Sequence, residues 1–88
     1  MTDIYVRIIY DIDKDEFDVS SNASDHKKIV SEFLRTQIGS GVDDHEPNKQ
    51  KKYTILIDLD LSQDFFSVSN DCGNKGLRDG ILQRFLDS

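Results

Sequence analysis

The sequence predicts an α+β fold made of a duplicated ββα unit. The order is ββαββα, with a four-stranded antiparallel sheet in strand order 2-1-3-4 and two helices packed on one of its faces. Three observations carry this. Two long stretches alternate apolar and polar residues, and each is followed across a polar break by a shorter alternating run. Each of these pairs then leads into apolar residues at helical spacing. Finally, the second half of the chain repeats the first at a nearly fixed offset.

Ile4, Val6, Ile8, Tyr10 and Ile12 recur at every second position, with Tyr5, Arg7, Ile9, Asp11 and Asp13 between them. A period of two marks a strand with one buried face. Phe17 and Val19 resume the alternation after Lys14-Asp15-Glu16, which makes a hairpin. Ser24 closes a polar cluster and is the expected helix N-cap. Beyond it Ile29, Val30, Phe33, Leu34 and Ile38 share one helical face, and Gly39 and Gly41 are the expected stop. Residues 39–52 read as a long, solvated, mobile connection.

The pattern then restarts. Tyr53, Ile55, Ile57, Leu59 and Leu61 alternate with Thr54, Leu56, Asp58, Asp60 and Ser62. Phe66 and Val68 follow a break at Ser62-Gln63-Asp64. Asn74 is the second expected N-cap, ahead of an apolar helix face of Leu77, Ile81, Leu82, Phe85 and Leu86. Gly76 and Gly80 lie four apart on this helix, where missing side chains permit a close backbone approach.

Residues 4–22 laid on 53–71 give identities at Ile8/Ile57, Asp11/Asp60, Asp15/Asp64, Phe17/Phe66, Val19/Val68 and Ser20/Ser69. The pseudo-repeats span 4–38 and 53–87 of a single domain, 1–88. The first and third strands are the most apolar and take the centre of the sheet, with an approximate two-fold axis between them. The repeated aspartates Asp11/Asp60 and Asp15/Asp64 fall at strand ends and turns, where a short carboxylate accepts backbone N–H groups.

A chain of 88 residues has no room for a deep internal active site. No run of 18 apolar residues is present, so no membrane span is expected. The start of the chain lacks the basic-then-apolar pattern of a secretory leader, and Cys72 is the sole cysteine, so a reducing, cytoplasmic setting is expected. No nucleophile–base pair or phosphate-cradling loop is visible, so neither an enzyme nor a cofactor is expected. Asp11 to Asp15 superficially resembles the start of a calcium loop, but Glu16 stands where the loop needs glycine, and no metal site is expected. Cys72 precedes a helix, a setting that lowers a thiol pKa, yet a small filler role suits it better because Ala23 is its counterpart.

With helices on one side, the sheet's other side is open. That face carries Tyr5, Arg7, Ile9, Asp11 and Asp13 from the first strand, Leu56, Asp58 and Asp60 from the third, and Phe65 from the fourth, with Glu16 as the first-copy counterpart of Phe65. Grouped apolar side chains rimmed by charge mark a partner site or a dimer interface. Asp58 and Asp60 share a strand face that brings them toward Asp11 across the central strands, where, with no other ligand nearby, repulsion tolerated by solvent is expected rather than a cation or acid–base site. The net charge of −6 favours a basic partner and disfavours nucleic acid. The leading expectation is a small acidic, non-enzymatic protein–protein interaction module, an inhibitor or adaptor acting on a basic partner surface, or binding itself as a homodimer. One alternative is nucleic-acid binding through the helix-side and loop residues Lys27, Lys28, Lys49, Lys51, Lys52, Lys75, Arg78 and Arg84. The other is a homodimeric ligand-sensing domain with a groove along the pseudo-two-fold axis.

Overall fold

In the computed structural model the described residues are 3–37 and 46–88. The elements run β1 (Ile4–Asp11), β2 (Glu16–Ser21), α1 (His26–Gln37), β3 (Lys52–Asp60), β4 (Phe65–Asn70) and α2 (Lys75–Asp87). The strands form one antiparallel sheet in the order β2-β1-β3-β4, and the fold is the α+β arrangement ββαββα.

Alternation decides which side of each strand is buried. Val6, Ile8 and Tyr10 of β1 and Tyr53, Ile55, Ile57 and Leu59 of β3 turn to the helices and are buried. Ile29, Val30 and Phe33 of α1 and Ile81, Leu82 and Phe85 of α2 close over them, and Cys72 completes the same core. Fully burying one such aliphatic or aromatic side chain contributes about 1.5–3 kcal/mol. Aromatic contacts knit the layers: Phe17 of β2 packs edge-on against Phe85, and Phe66 of β4 edge-on against Phe33. Thus the first hairpin leans on α2 and the second on α1.

The strand registers obey a two-fold relation. Val6↔Ser21 in the first hairpin corresponds to Ile55↔Asn70 in the second. Between the hairpins Val6 faces Ile57 and Ile8 faces Ile55, so the pseudo-axis passes between Arg7 and its opposite number Leu56. Both hairpin turns place an aspartate at positive φ, Asp15 at 52° and Asp64 at 50°. A short polar side chain tolerates this left-handed conformation better than most.

Several expectations are corrected, most of them at the ends of elements. Ile12 and Leu61 do not continue the buried alternation, nor Asp13 the open one: β1 ends at Asp11 and β3 at Asp60, and all three residues sit in turns, Ile12 and Leu61 being 42% and 59% exposed. Outside the ladder the period of two no longer aims a side chain inward. The first helix starts later than a Ser24 cap implies, because its first bonds run from the Lys28 and Ile29 N–H groups to the Asp25 carbonyl at 3.0 and 3.2 Å. Asn74 does cap α2, its side chain accepting from the Leu77 N–H at 2.9 Å. Nothing packs closely on Gly80, where a Cβ would meet no atom within 4 Å.

Ile38, Gly39, Gly41 and much of the expected mobile connection lie outside the described residues. Its described end is bonded to the fold. The Asn48 N–H donates to the Cys72 carbonyl and its side-chain amide to the Asp71 carbonyl, both at 2.8 Å. The Tyr53 hydroxyl donates to the Asn48 carbonyl and accepts from the Gln50 N–H. The Lys51 carbonyl accepts from the Ile12 N–H at 3.0 Å. Among the described residues no helix is long and apolar enough to cross a membrane.

Candidate functional site: the open face of the sheet

The side of the sheet away from the helices is laid out by strand register. Its central row is Ser20, Arg7, Leu56, Ser69, read from β2 to β4. On one side of that row lie Asp18, Ile9 and Thr54, then Glu16, Asp11 and Lys52. On the other lie Tyr5, Asp58 and Ser67, then Asp60 and Phe65. Arg7 is therefore flanked along its strand by Tyr5 and Ile9 and faces Leu56. These four of the expected residues form one group.

The others are distributed around it. Asp58 stands opposite Tyr5 at the edge of the group. Phe65 lies at a corner beside Asp60, 61% exposed. Asp11 is at the opposite end of the sheet, facing Lys52. Asp58 and Asp60 are not brought near Asp11, because antiparallel β1 and β3 carry their C-terminal aspartates to opposite ends. Each terminal aspartate instead organises its own turn. Asp11 accepts from the Lys14 N–H at 3.2 Å, and Asp60 from the Ser62 N–H and hydroxyl at 3.0 and 2.6 Å. The Ser62 hydroxyl holds the Asp60 carboxyl below its ordinary pKa.

Sequence reasoning missed Asp18, Ser20, Lys52, Thr54, Ser67 and Ser69 on this face. Strand parity was the available signal. Glu16 and Asp18 alternate with Phe17 and Val19, and Lys52 extends the Thr54, Leu56, Asp58 series by one step. The composition of residues 39–52 places Lys52 in the connection, yet it is the first residue of β3. Around it, Ile9, Asp11, Asp18 and Thr54 help to line a shallow concavity of about 420 Å³. The face carries the acids Asp11, Glu16, Asp18, Asp58 and Asp60 against the bases Arg7 and Lys52, a surplus of negative charge.

The basic residues of the helical side are used differently. Arg84 of α2 grips Asp15 in the first hairpin turn with two bonds of 2.6 Å, and the Tyr10 hydroxyl donates to the same carboxylate at 2.7 Å. Hydrogen bonds from Arg84 and then Tyr10 hold the Asp15 carboxyl down at about 2, and the Asp15 bond pushes the Tyr10 phenol up. Asp15 thus binds side chains across the fold, where its expected role was to accept a backbone N–H. At the pseudo-symmetric position around Asp64, Leu59 of β3 stands in place of Tyr10 and Glu32 of α1 in place of Arg84, so Asp64 has no such clamp. Arg78 is buried over the Phe33 ring at 5.3 Å, its Nε donating to Asp79 at 2.9 Å. Its second guanidinium nitrogen lies 2.8 Å from the same oxygen, but out of line for a hydrogen bond. Lys27 donates to the Ser88 carbonyl at 3.0 Å.

Cys72 is fully buried, and burial, followed by the charge of Asp71, pushes its thiol up to about 11. Desolvation outweighs any pull from the helix that follows. Among the described residues no three His, Cys, Asp or Glu side chains gather as a metal would require. No protein-family model matches the chain, and no curated protein or solved structure matches it.

Proposed function

We propose that this protein is a small acidic, non-enzymatic interaction module that engages a basic surface of a protein partner through the open face of its sheet. The observation that carries the reading is the face itself: Tyr5, Ile9 and Leu56 grouped about Arg7, within a rim richer in carboxylates than in cations. An apolar centre with a charged rim is the anatomy of a docking surface. The acidic surplus steers a basic partner and repels acidic ones. An inhibitor or adaptor that occupies a basic surface fits this chemistry. Nucleic acid fits less well, because Arg78 is buried, Arg84 is held by Asp15, and Lys52 stands on the acidic face.

The test is affinity purification with wild-type protein and three variants. A partner recovered by the wild type should be lost with Leu56→Asp and with Asp58→Lys, and retained with Lys28→Glu on the exposed side of α1. Recovery that survives both face substitutions and fails with Lys28→Glu refutes the reading.

A further inference from the structure

The sheet has two edge strands, and they are not equivalent. Exposed strand edges template pairing with other chains, and proteins commonly blunt them with charge, proline or bulges. β2 follows that practice, with Glu16 and Asp18 on the strand. At the matching positions of the second copy β4 has Phe65 and Ser67, and the whole strand Phe65–Asn70 has no charged residue, no proline and an unbroken register with β3. The duplication thus keeps the scaffold residues Phe17/Phe66 and Val19/Val68 and removes both blocking acids from one edge.

The ladder shows which backbone groups face outward. The Asp71 N–H donates to the Thr54 carbonyl at 3.3 Å. Hydrogen-bonded and non-bonded pairs alternate in an antiparallel ladder. Ser69, Ser67 and Phe65 therefore turn their N–H and C=O groups to β3, while Phe66, Val68 and Asn70 turn theirs to the edge. Among the described residues no strand lies beyond β4.

We propose that β4 is a docking edge that takes an extended, basic segment of the partner as a fifth strand. This inference deepens the reading above and rests on it. Strand addition supplies main-chain bonds at Phe66, Val68 and Asn70, with side chains giving selectivity. Charge favours a cationic segment. Asp58 lies on β3 directly behind Ser67, and that small serine leaves a lysine or arginine of the added strand a clear path over it to the carboxylate. Asp64 precedes the strand and adds to the same field. Charge also argues against a second copy of this chain as occupant, since each carries −6.

The probe is a synthetic peptide of about eight residues alternating lysine with valine or threonine, a typical strand length. It is titrated into the full chain and read by amide hydrogen exchange and amide chemical shifts. The expected result is new protection of the Phe66, Val68 and Asn70 amides. Val68→Pro, which removes one outward N–H, should weaken binding at least about tenfold. Val19→Pro, the matching change on the charged edge, should leave it within about twofold. The wild-type protection pattern decides the matter even if the proline variant unfolds. Protection of those amides already present in the free monomer, protection arising from self-association without peptide, or equal binding of an alternating glutamate peptide would each overturn the proposal. Shifts confined to Tyr5, Ile9 and Leu56, with no protection on β4, overturn edge docking while leaving the face reading in place. Absence of binding to the probe also overturns edge docking, and the purification experiment still judges the face.

Discussion

Two glycines, Gly73 ahead of α2 and Gly80 within it, should respond to the same substitution with opposite signs. Gly80 lies inside the helix, exposed, with φ in the ordinary range, and an added Cβ meets nothing within 4 Å. Gly80→Ala therefore changes only backbone entropy and helix propensity, and should stabilise by about 1 kcal/mol. In a domain of this size that raises Tm by about 4–8 °C. Gly73 has φ +72°, and a Cβ there would lie 2.7 Å from the Asn48 side-chain nitrogen. The left-handed backbone costs a non-glycine residue about 1–2 kcal/mol. Moving Asn48 also breaks its 2.8 Å bond to the Asp71 carbonyl, worth about 0.5–1.5 kcal/mol. Gly73→Ala should thus destabilise by about 2–3 kcal/mol. Urea unfolding followed by far-UV circular dichroism measures both, with unchanged m-values as the check that only stability moved. A neutral or destabilising Gly80→Ala would mean that the helix surface there is covered, and would refute the reasoning. A neutral Gly73→Ala would show that neither the turn conformation nor the Asn48 anchor is as described.

Two further outcomes follow from titratable groups. The Asp15 carboxyl is held at about 2 against an ordinary 3.8, so its charged form stabilises the fold above pH 4 and that contribution is lost as pH falls toward 2. Asp15→Asn, which tolerates the same positive φ, should flatten this part of the stability profile in denaturant titrations at stepped pH; an unchanged slope removes the Arg84 clamp as a stabilising feature. Cys72, buried with its thiol pushed up to about 11, should react with a thiol reagent at neutral pH only as fast as the protein unfolds. Rapid labelling of the native state would contradict its place in the core.

Much of the fold was legible in the sequence because each part of it has a short-range cause. Val6, Ile8, Tyr10, Ile55, Ile57 and Leu59 show period two, and Ile29, Val30, Phe33, Ile81, Leu82 and Phe85 show helical spacing, so the buried faces could be named residue by residue. Strand order followed from which strands were the most apolar. Errors occurred where a pattern ends. Ile12 and Leu61 match the period but fall in turns, and Lys52 belongs to β3 though its composition suits a loop. Periodicity carries no information about the residue at which a ladder stops.

The sequence by itself determined the ββαββα order, the two amphipathic faces and the central residues of the open side, because all three depend on spacing along one strand or helix. Only the tertiary structure decided which of those residues meet. The antiparallel register set Arg7 against Leu56 on the pseudo-axis and sent Asp11 and Asp60 to opposite ends. Packing of each hairpin on the other unit's helix joined Asp15 to Arg84, sixty-nine residues away. The phase of the β3–β4 ladder turned the backbone of Phe66 and Val68 outward. Each of these relations is between residues distant in sequence, and distance along the chain says nothing of them until the strands are paired.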